Sequence, residues 1–131
     1  MKAEFSEAWC YELLRRVRWP DGIACPYCGS IRVTTHSKSA EAARQRYLCL
    51  GCRHTFTDLT GTPFARTNLP LATWFWGLRL LGEGRSRSEL AKELGVKWDT
   101  MGHMERRLAL TLARPGLVRQ LREAARKARG A

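Results

Sequence analysis

Apolar residues in the first part of the chain recur at spacings of three and four, the period of one face of an α-helix. These positions are Phe5, Ala8, Trp9, Leu13 and Val17. Pro20 and the Asp21-Gly22 pair come next, and such residues end helices and begin turns. The pattern therefore predicts a helix from Ala3 to about Val17, within an N-terminal segment of residues 1–19.

Three short segments after this helix have the composition of β-strands. Each segment contains β-branched or aromatic residues and is bounded by turn residues. They are residues 31–35, 45–49 and 54–57. Residues 36–44 have no periodicity, and we expect them to form the tip of a hairpin. The pattern predicts a small β-sheet within residues 20–66.

The helical period returns after Gly61-Thr62-Pro63. One apolar face consists of Leu71, Trp74, Phe75, Leu78 and Leu81. Pro70 suits the first position of this helix, because proline has no amide hydrogen to lose there. We expect the neighbouring aromatic residues 74–76 to belong to the core and to the interface between modules.

A capping box marks the next helix. Ser86 and Glu89 have the spacing at which a hydroxyl and a carboxylate satisfy the free amides of a helix start. This helix should run to Leu94 and stop at Gly95. A third helix should begin near Trp98, and Pro115-Gly116 should end it. Its inward positions are Met101, Met104, Leu108 and Leu112.

Two helices joined at Gly95 are typical of a helix-turn-helix, whose second helix enters the major groove of DNA. The candidate DNA-facing residues are Lys97, Trp98, Thr100, His103 and Arg107. An ordinary pair of core helices is the alternative.

Two residues do not suit a recognition helix. A glycine in a helix interior, such as Gly102, lowers the stability of the helix by about 1 kcal/mol relative to alanine. The carboxylate of Asp99 would repel the phosphates of DNA. We assign residues 67–114 to this module.

The last segment, residues 115–131, carries five cations and one acid. Leucine and alanine at 117, 121, 124 and 128 form a narrow apolar face. The pattern predicts a basic helix that contacts nucleic acid or a partner helix, since a narrow apolar face is poorly suited to a lipid surface. The arginines expected to hold phosphate are Arg119, Arg122 and Arg126.

The charge and the length of the chain reduce the number of candidate functions further. The 131 residues include 23 Lys and Arg against 12 Asp and Glu, a net charge of +11. This balance favours a polyanionic partner, and we expect double-stranded DNA, with Arg46 and Arg53 of the strand region on phosphate. The length excludes a large multidomain enzyme. No apolar run approaches the roughly 20 residues that cross a bilayer, so we expect a cytoplasmic, nucleoid-associated chain and no membrane partner.

Four of the five cysteines form a metal-binding pattern. Cys25, Cys28, Cys49 and Cys52 have the spacing C-x2-C-x20-C-x2-C, which is typical of a structural zinc site with four thiolates. Such a site is closed, so it should not activate water. A redox dithiol or unrelated thiol pairs are the alternative. We expect one Zn²⁺ per chain.

Other residues near the cysteine pairs have less specific roles. Gly29 and Gly51 should allow tight turns at the two pairs. His36 and His54 lie close enough in sequence to replace a ligand, although four thiolates already fill a tetrahedral shell. Cys10 is left over, and we expect it to be a small buried residue of the first helix.

Taken in order, these motifs resemble the N-terminal module of insertion-sequence transposases. The match runs from Arg18-Trp19-Pro20-Asp21-Gly22 through the cysteine pairs to Thr60-Gly61-Thr62-Pro63-Phe64. It continues through Leu69-Pro70-Leu71 and Glu89-Leu90-Ala91 to Gly95-Val96, and covers roughly residues 5–112. The resemblance implies a zinc ribbon and a helical module that bind transposon-end DNA. In that family a C-terminal nuclease domain with a DDE triad cuts and joins strands, and we expect no such domain in these 131 residues.

The sequence therefore predicts an α+β protein, with a β zinc ribbon, a helix-turn-helix module, an N-terminal helix and a basic C-terminal helix. The predicted function is zinc-dependent DNA binding without enzymatic activity, as a regulator, an accessory factor or a transposase remnant. One alternative is the DNA-binding subunit of a split transposase whose nuclease lies on another chain. The other is a protein-protein interaction module.

Overall fold

The computed structural model describes residues 6–37, 43–65, 67–80 and 84–110, together with Gln120 and Glu123. Its elements in chain order are α1 (Glu7–Arg18), β1 (Val33–Ser37), β2 (Arg46–Cys49), β3 (Thr55–Thr57), α2 (Leu71–Leu80), α3 (Arg87–Leu94) and α4 (Trp98–Leu110). The α+β class is confirmed. The expected basic helix and the Pro115-Gly116 stop lie outside the described residues, apart from Gln120 and Glu123, which are helical.

The first helix begins at Glu7 and is capped by Ser6. The Ser6 hydroxyl accepts a hydrogen bond from the amide of Trp9 at 3.1 Å, as an N-cap residue does. The helix ends at Arg18, two residues before Pro20, because the residue before a proline is excluded from helical geometry.

The three strands form one antiparallel sheet in the order β1-β2-β3. Val33 pairs with Cys49, and Tyr47 pairs with Phe56. The first strand extends to Ser37, so residues 36 and 37, which we expected in a hairpin tip, belong to β1. A register shift between Thr35 and Ser37 lets this extension pair with Arg46.

The sheet has a small core of its own. Buried Tyr47 and Phe56 lie beside two of the cysteines. Trp19, which follows α1, packs edge-on against both rings, with ring centroids 5.8 Å and 6.2 Å away. So few apolar residues give the ribbon little hydrophobic stabilisation, which is usual for a small metal-binding fold.

The second, larger core surrounds α2. Residues 71–78 and Leu80 of this helix are buried, so it is covered on nearly all sides rather than on the single stripe we expected. The reason is its position: α1 packs on α2, and so does α3. Trp9 of α1 lies edge-on to Phe75 at 6.2 Å. An added Cβ on Gly77 would lie 3.4 Å from Leu94 of α3, so the backbone of α2 approaches α3 to within side-chain contact there.

A buried carboxylate connects α1 to the sheet. Asp58, fully buried after β3, accepts a hydrogen bond from the Tyr47 hydroxyl at 2.6 Å and from the Gln45 amide at 2.8 Å. Arg15 of α1 pairs with the same carboxylate at 3.2 Å. Arg18 donates to the Asp58 carbonyl at 2.8 Å. Every oxygen of Asp58 is thereby partnered, which a buried charge requires.

Candidate metal centre and nucleic-acid interface

Each cysteine pair lies in a tight turn of the same form. The amide of Gly29 donates to the Cys25 carbonyl, and the amide of Arg53 donates to the Cys49 carbonyl, both at 2.9 Å. Gly29 and Arg53 are left-handed, with φ of 79° and 68°. The residue after the second cysteine therefore reverses the chain in both turns, and at Arg53 this conformation is strained for a residue with a Cβ.

The structure confirms the expected turn at Gly29 and corrects the reason for Gly51, which is not left-handed. An added Cβ at Gly51 would lie 3.3 Å from the Ser30 Cβ and 3.5 Å from the Cys49 sulfur. A Cβ there would require Ser30 to shift by a few tenths of an ångström, because the two turns approach each other closely around the sulfurs.

The turns bring four sulfurs together. Those of Cys25, Cys28, Cys49 and Cys52 all lie within 4.8 Å of one another. The Cys25 and Cys52 sulfurs are 3.6 Å apart, and so are those of Cys28 and Cys49. A tetrahedral Zn²⁺ with bonds of about 2.3 Å places its sulfur ligands about 3.8 Å apart. The four cysteines are clustered to hold one metal ion, consistent with a single structural zinc.

Backbone amides favour ionised sulfur at this centre. The Cys52 amide donates to the Cys49 sulfur at 3.4 Å, and this bond lowers the pKa of the Cys49 thiol to about 6. At Cys52 the His54 amide acts in the same direction, but desolvation and the hydrogen bonds of the other thiols raise the pKa to about 12. Four crowded thiols therefore need a cation before all of them ionise.

His54 does not belong to the ligand group found among the described residues. The Nδ1 atom of His54 lies 3.2 Å from the Cys52 sulfur, at the outer side of the centre. Its ring stacks on Tyr27, with centroids 4.5 Å apart. The backbone of His36 is in β1, and its side chain lies outside the described residues. Cys10 is buried as expected, and burial raises the pKa of its thiol to about 12.

The second candidate site is the exposed start of α4. The capping box at Ser86 and Glu89 is present, so α3 begins where the sequence predicts. Gly95 ends α3 with a left-handed φ of 71°. The Lys97 carbonyl accepts a hydrogen bond from the Met101 amide at 3.0 Å, and α4 begins at Trp98, three residues after this glycine. A short turn therefore fixes the direction of α4 relative to α3.

The structure brings four of the predicted DNA-facing residues to this end of α4. Lys97 and His103 are exposed, Trp98 is 53% exposed and Thr100 is half-buried. Asp99 is exposed among them. The apolar residues that we expected inward, Met101, Met104 and Leu108, are buried. The side chain at 112 lies outside the described residues.

Arg107, the fifth of these residues, has a different environment. Its guanidinium donates to the carbonyls of Pro63, at 3.1 Å, and Ala65. It therefore fastens α4 to the segment after the ribbon, and its contact with DNA stays a prediction. The exposed arginine is its neighbour Arg106, which sequence reasoning missed. Arg106 lies three residues after His103, a spacing that puts both on one helix face.

Arg87 of α3 supports this end of α4. Its guanidinium lies 4.6 Å from the Trp98 ring centroid, and its Nε donates to Glu105 at 2.6 Å. An added Cβ on Gly102 would lie 3.0 Å from Nη1 of Arg87. The glycine that looked out of place in a recognition helix thus makes room for a guanidinium lying across the helix.

The remaining predicted phosphate contacts fall into two groups. Arg46 at the start of β2 and Arg53 after the second turn are exposed on the ribbon. Arg119, Arg122 and Arg126 lie outside the described residues. Over the part of the chain that the structure describes, no helix has the length and apolar character to cross a membrane.

Comparison with known proteins agrees with the resemblance found in the sequence. Residues 5–55 match the model of the transposase zinc-ribbon domain of the IS1595 type, so this part of the chain is similar to the zinc ribbons of transposases. The match ends within β3 and leaves the helical module outside it.

A curated relative extends the similarity over most of the chain. It is an uncharacterized protein in transposable element ISH50 of Halobacterium salinarum, 32% identical over 120 residues. The alignment covers 89% of this chain, which spans only 40% of the relative's length. No solved structure matches the chain.

Proposed function

We propose that this chain is a zinc-dependent module that binds double-stranded DNA and is related to the end-binding part of transposases. The observation that carries the proposal is the exposed start of α4. Lys97, Trp98 and His103 project from a helix that α3, the Gly95 turn and Arg87 hold in place. A short rigid helix end with cationic, aromatic and polar groups suits entry into a major groove.

We assign two kinds of contact to the exposed residues. Thr100 and His103 read base edges, and Trp98 contributes an aromatic contact beside them. Lys97 and Arg106 hold phosphate at the same helix end, together with Arg46 and Arg53 of the ribbon. Arg119, Arg122 and Arg126 add phosphate contacts from the C-terminal segment. Base contacts discriminate between sequences, whereas phosphate contacts strengthen binding to all of them.

The zinc site supports this function indirectly. A closed centre of four thiolates has no open coordination position, so the ion stabilises the ribbon rather than activating water. Within the described residues, the four cysteines are the only group of three or more potential metal ligands. We therefore propose a binding role without catalysis, as a regulator, an accessory factor or a transposase remnant at the nucleoid.

A second candidate is the DNA-binding part of a split transposase, with the nuclease on another chain. The similarity to a protein in a transposable element supports a role in transposition. Incubation of supercoiled plasmid with the zinc-loaded chain and Mg²⁺, alone and with the remaining part of the relative, distinguishes the candidates. Cleavage only in the mixture supports a split enzyme, and cleavage by this chain alone contradicts both.

Selection of bound duplexes from a random pool tests the DNA proposal itself. A defined site should emerge, and the variant Thr100→Ala/His103→Ala should lose preference for it over scrambled DNA. Each lost base contact should cost about 1 to 3 kcal/mol of discrimination. If no duplex is enriched and an acidic protein partner is captured instead, the chain is a protein-interaction module.

Salt dependence provides an independent test. Arginine-phosphate contacts release condensed counterions, so six or more contacts should weaken duplex binding by about a thousandfold or more between about 50 and 200 mM salt. An affinity that stays flat across this range contradicts a phosphate-based interface.

A further inference from the structure

A groove of about 1040 Å³ lies between the zinc ribbon and the segment that enters α2, and it is open to solvent. The ribbon contributes Tyr27, Arg46 and Thr57, and the loop after β3 contributes Thr60. Asn68 lines the groove just before α2. None of the α4 residues in the described chain lines it, so what this groove binds does not depend on α4 reading duplex DNA.

The groove is basic. Arg44 and Arg46 line it and are exposed, and neither has an ion-pair partner in the described part of the chain. Among the described residues that line it, the one acid is Glu7, whose two oxygens accept hydrogen bonds from the amides of Leu71 and Ala72 at 3.1 Å and 2.6 Å. That negative charge is already compensated by a helix start, so the remaining charges of the described lining are two guanidinium groups.

An aromatic surface lies at the same groove. Tyr27 is 56% exposed, and its ring stacks on His54. In a duplex the faces of the bases are already stacked on each other, so they cannot stack on a side chain at the protein surface. An unpaired base can, and a basic groove combined with aromatic rings is the usual way of holding a single strand.

We infer that this groove binds single-stranded nucleic acid. A base stacks on Tyr27, while Arg44 and Arg46 contact the phosphates on either side. Thr57, Thr60 and Asn68 supply neutral hydrogen-bonding groups for the sugar and the base edges. The groove is a second nucleic-acid site with a different ligand from the exposed end of α4, and Arg46 is the one residue that the duplex and single-strand proposals share.

The test measures binding of labelled dT12 and rU12, and of a blunt duplex, to the full zinc-loaded chain by fluorescence anisotropy. Tyr27→Leu should weaken dT12 binding by about 5- to 100-fold, the range for loss of one stacked base. Tyr27→Phe retains the ring and should stay within about twofold of the parent. The duplex affinity of both variants should be unchanged. The ratio of dT12 to rU12 affinity shows whether DNA or RNA is the ligand.

Charge variants provide a second, independent measurement. Arg44→Gln/Arg46→Gln should lower the salt slope for dT12 by about 1.4, since each phosphate contact on a single strand contributes about 0.7. Arg32→Gln is the matched control, because Arg32 is exposed on the ribbon but does not line the groove. If Tyr27→Leu loses zinc or folded structure, the difference in salt slope between Arg44→Gln/Arg46→Gln and Arg32→Gln tests the inference instead.

Three results would overturn the inference. They are undetectable dT12 and rU12 binding, equal losses for Arg32→Gln and the groove variants, and displacement of dT12 by an equal concentration of a polyglutamate 12-mer. The last would identify an acidic protein segment as the ligand. Absence of single-strand binding with duplex binding intact would leave the proposed function standing.

Discussion

The carboxylate of Glu7 lies 2.6 Å from the amide nitrogen of Ala72, and its second oxygen lies 3.1 Å from the amide of Leu71. A side chain in the first turn of α1 thus caps α2, 65 residues further along the chain. The free amides of a helix start are normally satisfied by a residue next to the helix. Here the cap is a tertiary contact, so the position of α1 and the start of α2 depend on each other.

Loss of this cap should destabilise the helical core. Glu7→Ala should lower the free energy of unfolding by about 1 to 2 kcal/mol, because two amides lose a charged acceptor. Glu12→Ala, at an exposed position of the same helix, is the control and should have little effect. Urea unfolding at constant free zinc measures both. Equal effects of the two substitutions would show that Glu7 contributes only through α1.

Removal of zinc should unfold the ribbon before the helical core. The binding energy of a structural zinc, on the order of 10 to 16 kcal/mol, is folding energy for so small a core. In strong chelator, the four cysteines of the metal centre should react rapidly with a thiol reagent. Cys10, buried in the helical core, should stay protected.

Zinc analysis and the number of reactive thiols check this prediction together. One zinc per chain and four fast thiols after chelation are expected. Rapid reaction of all five would show that the two cores unfold as a unit. A zinc-free protein with an intact sheet would contradict the structural role of the metal.

Gly102 and Arg87 should be energetically coupled. In a helix interior, alanine stabilises the folded protein by about 1 kcal/mol relative to glycine. A Cβ at residue 102, however, would lie 3.0 Å from the Arg87 guanidinium. Gly102→Ala should therefore gain less stability in the parent than in an Arg87→Ala background. A double-mutant cycle should give a coupling of at least about 0.5 kcal/mol. Additive effects would mean that Arg87 moves aside without cost.

The adjacent arginines of α4 should have separable roles. Arg106→Gln should weaken binding to every duplex and lower the salt slope by about 0.9, as expected for one lost phosphate contact. Arg107→Gln should instead lower stability by about 1 to 2 kcal/mol, because the carbonyls of Pro63 and Ala65 lose their donor. Thermal unfolding and anisotropy measured on both variants check this. The opposite pattern would identify Arg107 as the DNA contact.

The sequence by itself determined the features that depend on local spacing. Paired cysteines predict a shared metal ion because four close thiolates complete a tetrahedral shell. Ser86, Glu89 and Gly95 predict the bounds of α3 because helix ends are satisfied within a few residues. The apolar period likewise predicts the buried positions of α4 at Met101 and Met104.

Only the tertiary structure decided features that depend on residues distant in sequence. The capping of α2 by Glu7 and the partners of buried Asp58 join segments more than ten residues apart, which no local pattern encodes. One step along α4 turns a side chain by about 100°, since the helix has 3.6 residues per turn. That rotation puts Arg106 in solvent and Arg107 against the Pro63 carbonyl, and packing alone sets which of the two is free to contact a ligand.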